Sequence, residues 1–153
     1  MEIKKDKFIE IIDSTPLVSI DLIIEGERDV YLLGKRSNRP AQGFWFVPGG
    51  RIRKNETLSD AFQRIAFTEL GIALDIVDAT LLGAYDHIYQ DNFDSVAGIN
   101  THYVALGYLT NIPKDSVLEQ DTQHTKMHWW EKHKILKDPM VHPNTKNYFT
   151  LKE

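Results

Sequence analysis

The sequence predicts an α/β (α+β) fold, in which helices pack on both sides of a mixed β-sheet. Three observations support this prediction. The chain has 153 residues, of which 42% are hydrophobic, so it can bury one sizeable core but not two ordinary enzyme domains. Short β-branched and apolar runs alternate along the chain with segments of helical periodicity. No repeat, linker or low-complexity segment interrupts residues 1–153, so we expect a single domain.

The first predicted elements are a short helix and two strands. Residues 5–12 place Phe8 and two isoleucines on one helical face, and Ser14-Thr15-Pro16 should end that helix. Residues 17–25 and 30–33 are apolar runs separated by a polar turn that contains Gly26. This pattern is typical of two antiparallel strands, and it predicts a β-hairpin.

The rest of the chain continues the mixed pattern. A loop over residues 38–43 leads to a short aromatic strand, and Pro48-Gly49-Gly50 should change the direction of the chain and bring its backbone close to another group. The remaining predicted elements are a helix over 57–70, strands over 76–85, 103–109 and 127–130, and a helical tail from about residue 144.

The helix over residues 57–70 has well-marked ends. Thr57 and Asp60 have the spacing of a capping box, and Gly71 stands where a C-terminal cap is expected. Its apolar stripe (Leu58, Ala61, Phe62, Ile65, Ala66) continues on the same face to Glu69. A buried carboxylate at the negative end of a helix dipole needs compensation, and a cation would supply it. Periodicity alone leaves a second reading open, in which the helix end frays and Glu69 is solvated.

Composition excludes several kinds of function. The formal net charge of -4 provides no positive field to hold a nucleic acid. With no cysteine, the protein has no disulfide, zinc-thiolate site or thiol nucleophile, so a metal would need oxygen or imidazole ligands. No segment has the apolar length of a signal peptide or a membrane span. We therefore expect a cytoplasmic protein that binds neither nucleic acid nor membrane.

The glycine turn and the helix together carry a longer motif. Gly50, Glu56, Arg64, Glu69 and Gly71 follow one another at the spacing of the Nudix box. This segment resembles the Nudix family, and the resemblance implies a Nudix-like α/β/α sandwich with a mixed sheet. The sequence departs from the family pattern at Ile65 and Thr68, where the family has glutamates. With Glu69 left, the resemblance implies a single Mg²⁺ instead of a multi-metal cluster.

Further segments resemble one branch of that family, the GDP-mannose mannosyl hydrolases. They are residues 14–19, 34–36, 38–43 and 46–51. The resemblance implies hydrolysis of a nucleotide sugar at the anomeric carbon, with inversion, to give GDP and free sugar. It also implies one Mg²⁺ per subunit, for which Mn²⁺ can substitute, held by the Gly49 carbonyl, Glu69 and Gln123. A homodimer is the assembly that it implies.

The same resemblance assigns roles to individual residues. His124 corresponds to the general base, since a neutral imidazole suits proton removal from water at neutral pH. Four more residues are assigned to catalysis, at the sugar or at the departing diphosphate: Asp21, Arg36, Tyr103 and His87. Substrate binding is assigned to Glu2, Ile3, Phe8, Arg36 and Arg51. For these residues simple structural readings also exist: solvated arginines, an outward-facing Asp21, and core positions for Tyr103 and Phe8.

Two other functions stay open at this stage. An ordinary Nudix pyrophosphohydrolase would yield a nucleoside monophosphate and a sugar phosphate, and the missing glutamates at Ile65 and Thr68 argue against it. A non-catalytic nucleotide-sugar binder would have no reason to keep Glu69, Gln123 and His124 together. We interpret the remaining pair of the motif, Glu56 and Arg64, mainly as an ion pair that holds the loop and the helix in register.

Overall fold

Two sheets form the centre of the computed structural model, which describes residues 2–113 and 124–150. The elements in chain order are α1 (Lys5–Ser14), β1 (Leu17–Ile24), β2 (Val30–Arg36), β3 (Trp45–Phe46), β4 (Gly49–Arg51), α2 (Leu58–Leu70), a 3₁₀ turn (Ile76–Asp78), β5 (Thr80–Tyr89), β6 (Thr101–Thr110), β7 (His124–Glu131), α3 (Lys132–Lys137) and α4 (Pro143–Lys146). One sheet has the strand order β4-β1-β6-β5, and the other has the order β3-β2-β7. Since β1 and β6 are parallel and the other pairs are antiparallel, the predicted mixed α/β architecture is confirmed.

The predicted hairpin of β1 and β2 is wrong. The two strands follow each other across a tight turn, in which the Gly26 amide donates to the Val30 carbonyl over 2.8 Å. Past a single bridge between Glu25 and Tyr31 they separate into different sheets. Strand β1 has β4 on one edge and β6 on the other, while β2 pairs with β3 and β7. Both strands therefore have their two edges occupied by strands other than each other.

Strand β1 is buried on both faces, which explains its nearly continuous apolar sequence. Ile20, Leu22 and Ile24 pack in a core cluster with α2. The alternate face carries Ile23, which packs in a second cluster with residues of β2, α3 and the C-terminal segment, including Tyr148. Asp21 shares this second face with Ile23, because side chains alternate along a strand.

Helix α2 follows the sequence prediction closely. The Thr57 side chain accepts a hydrogen bond from the Asp60 amide over 3.1 Å, and Gly71 ends the helix with a left-handed φ of 69°. Phe62 and Ile65 are fully buried against β1. Glu69 is 2% exposed, so the alternative of a frayed and solvated helix end is wrong.

Other differences are local. The predicted strand over 76–85 starts as a 3₁₀ turn, and β5 begins at Thr80. Helix α3 was not predicted. In the described ranges no helix combines the length and apolar character needed to cross a bilayer.

Candidate active site

A cavity of about 310 Å³ opens between the mixed sheet, α1 and the loop over residues 38–40. Seven of the residues singled out from the sequence line it: Phe8, Asp21, Arg36, Gly49, Arg51, His87 and Tyr103. They come from six elements, namely α1, β1, β2, β4, β5 and β6. Residues separated by up to 95 positions along the chain are thus brought to one concave surface.

Asp21 lies at the floor of the cavity, between two glycines. Its register partners are Gly49 on β4 and Gly107 on β6. A Cβ atom at Gly49 would overlap Asp21 Oδ1 and approach the Ile20 carbonyl to 2.7 Å, so this position accommodates only glycine. The prediction that the glycine turn allows a close backbone approach is confirmed, although residues 49–51 form a short strand and not only a turn.

Two arginines supply positive charge to the cavity. The Arg36 guanidinium lies 5.5 Å from the Phe46 ring centroid, and that of Arg51 lies 5.0 Å from the Phe8 centroid. Such cation–π contacts orient a guanidinium while leaving its N–H groups able to donate to an anion. The two guanidinium groups can therefore contact and neutralise a phosphate group directly.

His87 and Tyr103 face each other across β5 and β6. His87 is 4% exposed, and burial, followed by the nearby His142, lowers the pKa of its imidazole to about 4. The ring is therefore neutral near pH 7, and its Nε2 atom is buried without a hydrogen-bond partner. Burial raises the pKa of Tyr103, so its hydroxyl stays protonated and able to donate. A buried, unsatisfied ring nitrogen beside a cavity is the arrangement expected for a group that binds a polar ligand.

Glu69 contacts the glycine strand from helix α2. The Gly49 amide donates to Glu69 Oε1 over 3.4 Å. Its carboxylate oxygens and the backbone carbonyls of this strand are hard donors, which suit a small divalent cation such as Mg²⁺. Within the described ranges, no three Asp, Glu or His side chains are grouped so that they could hold a metal. The oxygen atoms of Glu69 and of the glycine strand could therefore contribute to a site for a divalent cation.

Gln123 and the side chain of His124 lie outside the part of the chain that the structure describes. Gln123, the third predicted metal ligand, lies in the segment that is not described. For His124 the backbone is described, as the first residue of β7 and the register partner of Arg36, but its side chain is not. Their roles stay predictions.

The N-terminal assignments separate into two groups. Phe8 lines the cavity and packs on Phe93 with ring centroids 5.4 Å apart. Glu2 and Ile3 are exposed and do not line it. Neither of these two contributes to the cavity in a single copy of the chain.

Glu56 and Arg64 form the ion pair expected from the motif. Arg64 Nε lies 2.6 Å from Glu56 Oε2, and the same guanidinium donates to the Arg51 carbonyl over 2.8 Å. Glu56 also accepts from the Arg53 amide over 2.7 Å. The pair therefore holds the loop after β4 and the backbone of Arg51, whose side chain lines the cavity.

Sequence reasoning missed several residues around the site. Tyr148 donates to Asp21 Oδ2 over 2.7 Å, across 127 positions of sequence. His142 caps α4 and stacks on Phe46 with centroids 4.8 Å apart. Tyr89 also lines the cavity. No local pattern identifies Tyr148, whereas Tyr89 could have been found from its position two residues after His87 on the same strand face.

Comparison with known proteins identifies the family. The model of the NUDIX domain matches residues 15–151. The chain belongs to the Nudix family. Nudix hydrolases generally use a divalent metal such as Mg²⁺, in agreement with the oxygen donors around Glu69.

Individual Nudix relatives are similar over different lengths. The low-salt glycan biosynthesis protein Agl8 of Haloferax volcanii is 41% identical over 149 residues, which cover 95% of this chain and 88% of the relative. The ADP-ribose pyrophosphatase of Methanocaldococcus jannaschii is 36% identical over 76 residues, covering 50% of this chain and 43% of the relative. A crystal structure of a MutT Nudix hydrolase from Burkholderia pseudomallei superposes with a TM-score of 0.70 at 29% identity, covering 89% of this chain and 97% of that one.

Proposed function

We propose that this Nudix hydrolase cleaves GDP-mannose or GDP-glucose at the anomeric carbon, with inversion, to give GDP and the free sugar. The observation that carries the proposal is that seven residues to which the resemblance assigns a role line one cavity. That cavity combines two arginines, a carboxylate, a neutral imidazole and a protonated tyrosine hydroxyl. The arginines suit a diphosphate. The carboxylate, the imidazole and the tyrosine hydroxyl suit the other polar groups of a nucleotide sugar.

The two arginines support a diphosphate subsite. Arg36 and Arg51 both line the cavity, and each is oriented by an aromatic ring. When the sugar–oxygen bond breaks, negative charge develops on the bridging oxygen of GDP, and guanidinium groups placed beforehand stabilise it. The Tyr103 hydroxyl can donate to the same leaving group because its raised pKa keeps it protonated.

Asp21 and His87 support a sugar subsite. The Asp21 carboxylate accepts hydrogen bonds from hydroxyl groups, and the unpartnered His87 Nε2 offers one more polar contact. In the proposed reaction His124 removes a proton from water, the water oxygen attacks the anomeric carbon, and the carbon–oxygen bond electrons leave with GDP. The assignment of His124 rests on the resemblance of its sequence segment.

The cleaved bond is inferred from the depleted Nudix box. Ile65 and Thr68 stand at two positions of the box where the family has glutamates, so neither position supplies a carboxylate. Ile65 is 1% exposed and packs in the core, and Thr68 is exposed. One Mg²⁺, for which Gly49, Glu69 and Gln123 are the proposed ligands, would neutralise charge on the diphosphate when bound. Attack at phosphorus commonly relies on several metal ions, and attack at carbon needs less metal chemistry.

The relatives support a nucleotide sugar as the substrate class. The name of Agl8 refers to glycan biosynthesis, a process in which sugars are commonly carried as nucleotide derivatives. The name of the Methanocaldococcus relative refers instead to pyrophosphate cleavage of ADP-ribose. Because that similarity covers half of this chain, attack at phosphorus is the alternative outcome that an experiment must distinguish. Homodimerisation and a cytoplasmic location stay predictions.

The decisive experiment is to incubate the protein with GDP-mannose and Mg²⁺ in ¹⁸O-water and to locate the label by mass spectrometry. We expect GDP and labelled free mannose, with a loss of about 10²- to 10⁴-fold in turnover for His124→Ala. His133→Ala is the matched control, because the His133 side chain is 63% exposed on α3. Labelled phosphate or GMP would overturn attack at carbon, and an absence of turnover with GDP-mannose and GDP-glucose would overturn the proposed function.

A further inference from the structure

Tyr148, in the C-terminal segment after α4, hydrogen-bonds Asp21 at the cavity floor. The residue is 8% exposed, and its hydroxyl donates to Asp21 Oδ2 over 2.7 Å. Its ring packs edge-on against Tyr85 with centroids 4.6 Å apart and lies 5.8 Å from the His87 ring. Burial and the neighbouring Asp21 raise the pKa of Tyr148, so the hydroxyl remains a donor at all ordinary pH values.

Gly107 makes this approach possible. It lies beside Asp21 in the parallel pair of β1 and β6. A Cβ atom at Gly107 would lie 2.5 Å from Cε1 of Tyr148 and 3.1 Å from its Cδ1 atom. Any other residue at this position would therefore displace the tyrosine ring. The absent side chain leaves the space through which Tyr148 reaches the carboxylate.

The contact divides the two oxygens of the Asp21 carboxylate. Tyr148 hydrogen-bonds Oδ2, which also lies 3.8 Å from Nδ1 of His87, while Oδ1 lies against the Gly49 backbone. Asp21 lines the cavity. A carboxylate held at one oxygen cannot rotate about its last side-chain bond without losing that hydrogen bond. The plane of the acceptor that faces the ligand is thereby fixed.

We propose that Tyr148 is a positioning residue that holds the Asp21 carboxylate in the orientation that accepts the hydroxyl groups of the sugar. This inference rests on the proposed function, and it adds a residue that touches neither the substrate nor the metal. The effect of Tyr148 should therefore be confined to the sugar half of the substrate. Binding of GDP, which lacks the sugar, should not depend on it.

The test uses Tyr148→Phe, which keeps the ring over Gly107 and removes only the hydroxyl. We expect kcat/KM for the nucleotide sugar to fall roughly 10- to 100-fold, because a misplaced binding group costs about this much. The inhibition constant of GDP should stay within about twofold, since the Arg36 and Arg51 contacts are unchanged. Gly107→Ala should reproduce the loss of kcat/KM by pushing the ring away from Asp21.

Tyr31→Phe is the matched control. Tyr31 also lies in the second core cluster, its hydroxyl also donates to carboxylates, at 3.0 Å to both Glu25 and Asp29, and it does not line the cavity. An unchanged kcat/KM for Tyr148→Phe, or equal losses in the two tyrosine variants, would overturn the inference. A weaker inhibition by GDP in Tyr148→Phe would overturn it too, because the effect would then be general. If the unaltered protein releases no GDP and free sugar, the proposed function itself has failed.

Discussion

Replacement of Glu56 by Gln tests the ion pair that ties α2 to the cavity. Arg64 hydrogen-bonds the Glu56 carboxylate and, with smaller contributions from the Arg53 amide, lowers the pKa of Glu56 from its ordinary value of 4.5 to about 2. A pKa shift of one unit corresponds to about 1.4 kcal/mol, so the lowering of the Glu56 pKa from 4.5 to about 2 corresponds to about 3 kcal/mol. The two side chains are 17% and 27% exposed, so water weakens the pair, and we expect a loss of about 1–2 kcal/mol.

The pH dependence gives this prediction its sign. Because the folded-state pKa of Glu56 is lowered, the stabilisation is fully present above pH 4.5 and is lost as the pH falls towards 2. Urea unfolding at pH 7 should therefore show a lower midpoint for Glu56→Gln than for the unaltered protein. At pH 3 less than about half of that difference should remain.

A second substitution controls for the loss of a charge. Glu131 pairs with His133 and Lys134 at the surface, with its side chain 50% exposed, so Glu131→Gln should cost less than about 0.5 kcal/mol. Since Arg64 also holds the Arg51 carbonyl, Glu56→Gln should raise KM as well, whereas Glu131→Gln should not. Equal unfolding midpoints for the two variants at pH 7 would refute the reasoning.

Three further predictions concern the helix and the buried histidines. Ile65→Glu should destabilise the protein by several kcal/mol because Ile65 is 1% exposed. Thr68→Glu, at an exposed position, should change the unfolding free energy by less than about 0.5 kcal/mol. Similar urea midpoints for the two variants would contradict this prediction. Thr57→Ala removes the N-cap of α2 and should cost about 1 kcal/mol in the same assay, against no measurable change for Ser59→Ala. Burial lowers the pKa of both His87 and His142 to about 4, so the stability that their neutral rings contribute is complete above pH 6.5 and is lost as the pH falls towards 4. Nitrogen NMR should find the His87 ring neutral at pH 6, and a protonated ring there would show that the desolvation argument is wrong.

Local patterns predicted α2 and its chemistry well. The capping residues and the apolar stripe from Ala61 to Ala66 follow from 3.6-residue periodicity and from the preferences of Thr and Gly at helix ends, although Leu58 is 46% exposed. Periodicity placed Glu69 on the same face and left its burial open. The motif spacing likewise predicted the Glu56–Arg64 pair. These features involve residues at most one or two turns apart, or separated by a single short loop.

The predictions for the cavity had a different origin. Asp21, Arg36, His87 and Tyr103 were identified through resemblance to a family, and for Asp21, Arg36 and Tyr103 a simple structural interpretation also existed. The structure places all four on one cavity. The pairing of β1 with β6 and of β6 with β5 sets Asp21, Tyr103 and His87 on one face of a sheet, and Arg36 lines the same cavity from β2 in the other sheet. Strand pairing of this kind is invisible to a local pattern.

The sequence alone therefore predicted the mixed α/β class, helix α2 with its two caps, and the Nudix motif around it. Only the tertiary structure decided that β1 and β2 lie in different sheets and that Tyr148 hydrogen-bonds Asp21 across 127 positions. Helix periodicity and caps are local interactions, and the chain reveals them wherever they occur. The pairing of strands and the packing of Tyr148 over Gly107 depend on contacts between segments that are far apart in the chain. No local pattern contains that information.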